Sequence, residues 1–195
     1  MMESWGVPSL LLHSKAYEYA SILAKKGIKV VDMAFAGGLA REDQIFKAIA
    51  LGAPFVKSVC MGRAMMIPGF LGSNIEGVLR PDRKEKVNGN WDKLPASVAS
   101  IGLTAEEIFA GYYDVRKKVG ADDMDNIPYG AIAITTLVDK LGCGLQQLMA
   151  GARKFSIAEI SRDDIFSGNR EIEKETKIPF VTDVQDDTAK QLLNL

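Results

Sequence analysis

Residues 28–64 read IKVVDMAFAGGLAREDQIFKAIALGAPFVKSVCMGRA, and the period of their apolar residues changes twice. The first part, IKVVDMAFAGG, is a short run rich in β-branched and apolar side chains, with its polar interruption at Asp32 and its end at Gly37 and Gly38. It reads as a largely buried strand. From Arg41 to Leu51 the apolar residues Ile45, Phe46, Ile49 and Ala50 share one stripe, while Glu42, Asp43 and Lys47 face outward. This is a helix whose first turn carries the acids that its dipole favours and whose end is marked by Gly52. PFVKSVCMGRA then repeats the arrangement of strand followed by glycine. Two strands joined by a helical crossover of this length are parallel neighbours, so the stretch is a βαβ unit and the expected fold class is α/β.

On the amino-terminal side, Leu12, Ala16, Tyr19, Ala20 and Leu23 recur at helical steps between Pro8 and Lys26, and Gly27 stops the pattern. That helix is expected to bury its apolar stripe. On the carboxy-terminal side, periodicity fades after Pro68 and Gly69, and LRPDRKEKVNGNWDKLPAS is charged and interrupted by Pro81, Gly89 and Pro95. It reads as a solvated surface excursion or linker. Thr104 followed three residues later by Glu107 is a capping-box signature that opens a helix running to Gly120. NIPYGAIAITTLVDKLGCG fits a buried helix or a strand by period alone and is read as helix, with LQQLMAGARKF continuing it. Ser161 is a candidate cap for ISRDDIF, and ETKIPFVTD is a brief extended piece before a terminal helix. The expected organisation is therefore a βα portion over residues 1–75, a charged loop or linker over 76–100, and a mainly α-helical extension over 101–195.

The 195 residues are 47% hydrophobic and 25% charged, the composition of an ordinary globular chain rather than a disordered one. Twenty-four Lys and Arg against twenty-five Asp and Glu give a net charge of −1, so no field draws a polyanion and nucleic acid is not an expected partner. Two cysteines, Cys60 and Cys143, make neither a disulfide framework nor a four-thiolate site, and with one histidine no metal is expected. No segment approaches the roughly 20 apolar residues of a membrane span, and the amino terminus lacks the basic start of a secretory signal. A cytoplasmic protein is expected.

The chemistry-bearing feature is a pair of glycine turns, Gly37-Gly38 after the first strand and Gly62-Arg63 after the second. Glycine lets a phosphate approach the backbone, and unpaired amides at a loop or helix start supply donors. In (β/α)8 barrels a phosphate commonly sits at the loops after the last two strands. A glycine after a strand is also a plain turn residue, so each turn alone says little; their recurrence at consecutive parallel strands is what points to a ligand.

WGVPS, YEYASILAKKGIKVVDMAFAGGL, EDQIFKAIALGAPFVKSVCMGRAMMIPGF and GLQQLMAGARKFS resemble the FMN-binding domain of the glutamate synthase family, above all its stand-alone flavoproteins. The resemblance covers most of the chain and is weakest around residues 80–93. It implies a TIM barrel that holds FMN, an oxidoreductase activity within glutamate biosynthesis, and a flavin phosphate held by Gly37 and Gly38 in one loop and by Gly62 and Arg63 in the other. It also implies a deficit. In that family, strands that supply most flavin-ring contacts lie upstream of WGVP, so the chain reads as the C-terminal fragment of a barrel, about two parallel strands with a helical tail. Such a piece is expected to be inactive alone, to hold FMN by its phosphate end only, and to find its missing wall on another chain or in a homo-oligomer. The rival reading is a truncated structural or assembly module without catalysis, and a third is a phosphate-bearing ligand other than FMN. The family's iron–sulfur cluster needs closely spaced thiolates that Cys60 lacks, so no cluster is expected.

The remaining candidates read as structural. Cys60 is expected to be a small buried hydrophobe, His13 a surface or helix-packing residue, and Asp32 a hydrogen-bonded structural acid. Met61, Met65 and Met66 read as core filling. Arg63 is equally suited to neutralising a phosphate or pairing with a carboxylate. No catalytic residue is assigned.

Overall fold

The computed structural model describes residues 6–194, which are mostly helical with one small parallel sheet. The chain divides into two compact units, Met1–Met61 with Leu145–Leu195, and Gly62–Gly144. Among the described residues no helix is long and apolar enough to cross a membrane.

In the first unit, α1 (Ser9–Lys25) leads to β1 (Met33–Ala36), α2 (Glu42–Gly52) and β2 (Val56–Cys60), and the two strands pair in parallel. The register sets Met33 against Val56, Ala34 against Ser58 and Ala36 against Cys60, so Lys57 is skipped. Side chains alternate across a strand, and one face carries Phe35 and Val56, which pack with Ala48 of α2. Gly52 ends α2 hard against this face; a Cβ there would lie 2.1 Å from the Val56 Cγ2 and 2.8 Å from the Phe35 ring. The opposite face, with Ala34, Ala36, Ser58 and Cys60, is exposed.

α1 does not bury the stripe its spacing suggests. Leu12, Tyr19 and Leu23 are exposed, and His13, Ser14 and Ala20 are buried instead. The His13 ring stacks on Phe35 at 4.0 Å, and its Nε2–H donates to the Ala36 carbonyl at 2.8 Å, while the Ser14 hydroxyl donates to the Glu175 carbonyl. These specific contacts fix the helix rotation, and they use the polar residues between the leucines. Burial holds the His13 pKa below the ordinary histidine value, with the Ala36 hydrogen bond opposing that shift. Because the folded state prefers the neutral ring, the unfolded chain binds more protons near pH 6, and stability should rise with pH there and be lost as pH falls. Urea unfolding across that range should show this slope in the parent chain and a flatter one in His13→Gln; equal slopes would exclude His13 as its source.

The tail of the first unit holds the last part of α7 (Tyr129–Gly151), then α8 (Arg170–Thr176) and α9 (Val181–Leu193). One side chain ties the tail down. Arg162 donates to the Leu51 carbonyl at 2.6 Å and the Thr176 carbonyl at 2.5 Å, ending both α2 and α8, and its guanidinium lies 4.0 Å over the Tyr17 ring. The expected cap at Ser161 forms, with Asp164 accepting from the Ser161 amide, but the element it opens is a single 3-10 turn, Arg162–Asp164. The extended piece before α9 contributes one parallel bridge, Ser167 with Phe180.

The second unit comprises α3 (Arg63–Leu79), the short helices α4 (Ala96–Ala99), α5 (Ala105–Ile108) and α6 (Tyr112–Val119), and the first part of α7. The Thr104 and Glu107 capping box is present. The single helix expected from Thr104 to Gly120 is broken, however, because the chain stays close to Thr136 at Gly111, where a Cβ would lie 2.5 Å from the Thr136 Oγ1. Residues 76–100 differ most from the linker reading. Glu76 is buried within α3, and Leu79, Trp91, Leu94 and Val98 pack against a core built on Ile75, Phe109, Tyr112 and Ile132. Several charges of the stretch are paired: Arg80 and Arg83 both approach Glu76, and Lys84 pairs with Asp92.

Other expectations change as well. The ladder begins at Met33, not Ile28, since the first cross-strand bond runs from the Met33 amide to the Phe55 carbonyl and residues 28–32 find no strand to pair with among the described residues. Asp32 is consequently exposed rather than a paired structural acid inside a strand. Cys60 is exposed, because it lies on the bare face of the sheet, and Met66 is 53% exposed on α3.

Candidate functional site

Gly37 and Gly38 leave the carboxyl end of β1 with φ of +123° and +74°, a region that favours glycine. The two glycines differ in their surroundings. A Cβ on Gly37 would meet the Ser9 Oγ at 2.1 Å, so its missing side chain makes room for the first residue of α1, whereas nothing lies within 4 Å of a Cβ on Gly38. The open position in this turn is Gly38. His13 holds the turn from beneath through the carbonyl of Ala36, the residue just before it.

The next amides are divided between two uses. Gln44 of α2 accepts from Ala40 at 2.8 Å and from Arg41 at 3.2 Å through its Oε1, closing a capping box on α2. Among the described residues the amides of Gly38 and Leu39 find no backbone acceptor. They form a short run of donors at the carboxyl end of the sheet.

Gly62 and Arg63 open the second unit. Gly62 is the residue before α3 and is exposed, and a Cβ built on it would meet nothing within 4 Å. The first turn of α3 contains no acid and receives no side-chain cap, which leaves the positive end of a 17-residue helix dipole uncompensated. Arg63 is exposed, and among the described residues it forms no ion pair, so of its two readings the carboxylate partner is not found. α1 likewise starts without a side-chain cap or an acid in its first turn, unlike α2, which carries Glu42 and Asp43. In the sheet of the first unit, Ala36 and Cys60 are register partners, so the two strands end at the same level.

Taken unit by unit, the chemistry suits a phosphate group: in the first, the open Gly38 with its spare amides and the uncapped start of α1; in the second, the open Gly62, the uncapped start of α3 and the unpaired Arg63 guanidinium. These residues do not supply the rest of a flavin pocket. The side chains beside the turns on the exposed sheet face are Ala34, Ala36, Ser58 and Cys60, which have little with which to hold or tune an isoalloxazine. Among the described residues no group of three or more His, Cys, Asp and Glu side chains could hold a metal ion.

Sequence reasoning missed Ser9 and Gln44. Ser9 is half-hidden above Gly37, and its only sequence signal is a hydroxyl residue directly after Pro8 at a helix start. Gln44 stands three residues after Arg41, in the acceptor position of a capping box whose first residue is not a usual cap. No protein family, no curated protein and no solved structure matches the chain.

Proposed function

We propose that this chain is the phosphate-gripping, C-terminal part of an FMN-dependent oxidoreductase of the glutamate synthase type, a fragment of a (β/α)8 barrel that does no flavin chemistry alone. The observation that carries the reading is the pair of open glycine positions, Gly38 and Gly62, each followed by chain that lacks a compensating acid or cap in the case of α3 and carries spare amides in the case of Gly38. The resemblance of residues 17–39 and 42–70 to that family supports FMN over other phosphate esters. Gly37 and Gly38 in the first unit, and Gly62 with Arg63 in the second, are each proposed as a grip for a phosphate, and a bound flavin would supply the electron transfer. The ring contacts would come from further βα units paired along the outer edges of β1 and β2. A freshly purified sample should therefore be colourless, and flavin added to it should be lost on gel filtration. A yellow protein that retains its flavin band would overturn the claim that the chain is incompetent by itself.

A second reading is an assembly module without catalysis. The exposed sheet face, the outer edges of both strands, unpaired among the described residues, and the exposed Ile28 and Val31 beside β1 support it, because parallel sheets are normally covered on both faces and unpaired edges invite partners. On this reading the chain forms a dimer or larger species at micromolar concentration by sedimentation. A clean monomer would defeat self-assembly.

A further inference from the structure

We draw no further inference here: the strongest candidate, the apolar cavity of about 710 Å³ in the first unit between α2, the end of α7 and α8, lined by Phe46, Leu51, Leu148, Phe166, Ile172 and Ile178, has its rim charges Lys47 and Asp164 already paired within the chain, and nothing in the structure shows what covers it.

Discussion

Glu76→Ala should destabilise the second unit by about 3 kcal/mol or more, the cost of removing one partner from a buried ionic cluster. Glu76 is 1% exposed, and its Oε2 accepts the amide of Tyr129, the first residue of α7, at 2.7 Å. The carboxylate thus caps a 23-residue helix from another element. Its Oε1 lies 3.6 Å from both the Arg80 and the Arg83 Nη1, and both arginines also reach Asp125. Arg80 further stacks 4.5 Å over the Tyr129 ring. Alanine would leave a buried amide and two partly buried guanidinium groups without their common acceptor. Glu76→Gln keeps an oxygen for the Tyr129 amide but loses the charge, and should cost less, about 1.5 kcal/mol. Urea unfolding gives the two magnitudes, and faster hydrogen exchange at the start of α7 assigns them to this unit. Two variants as stable as the parent would show that Glu76 does not hold α7.

Gly72→Ala should cost a similar amount at the same crossing. A Cβ at Gly72 would fall 2.6 Å from the Gly130 Cα and 2.6 Å from the Tyr129 carbonyl oxygen, both backbone atoms of α7 that cannot rotate away. Overpacking of this kind usually costs about 1–3 kcal/mol, and more where only backbone can yield. Gly69→Ala is the informative comparison. There the nearest atom is the Ile134 Cδ1 at 3.1 Å, the far end of a flexible side chain. Alanine is the better helix former by about 1 kcal/mol at either position, so Gly69→Ala should be near neutral or stabilising while Gly72→Ala is not. Equal melting temperatures for the two variants would contradict the close approach of α3 to α7.

What could be read from the sequence was whatever depends on neighbouring residues. The βαβ unit follows from the change of apolar period between residues 28 and 60, and the Thr104–Glu107 box from two residue types at a fixed spacing. The partner of a buried polar group is a different matter, because it lies far along the chain. Nothing near Glu76 in sequence points to the Tyr129 amide, so RPDRKEK looks solvated although two of its arginines serve a buried carboxylate. α1 shows the same limit from the other side: its leucines look like the buried face until Phe35 and Ala36 are placed, and then His13 is the residue that fits. The start of β1 depends on where its neighbour begins, and that too is absent from the run Ile28-Lys29-Val30-Val31-Asp32. The glycine turns were legible as turns. That Gly37 serves Ser9 while Gly38 stays open needed the geometry.

The central claim is that the glycine turns recognise a phosphate ester, and it is tested most directly by titrating FMN, riboflavin and inorganic phosphate into isotope-labelled protein while following individual backbone amides. A grip on the phosphate alone should give weak, saturable binding, with Kd on the order of 1 mM, worth about 4 kcal/mol. FMN and phosphate should both move the amides of Gly38 and Gly62, and riboflavin, which lacks the ester, should leave them in place. Amides that respond equally to FMN and riboflavin, or to none of the three, would contradict the account.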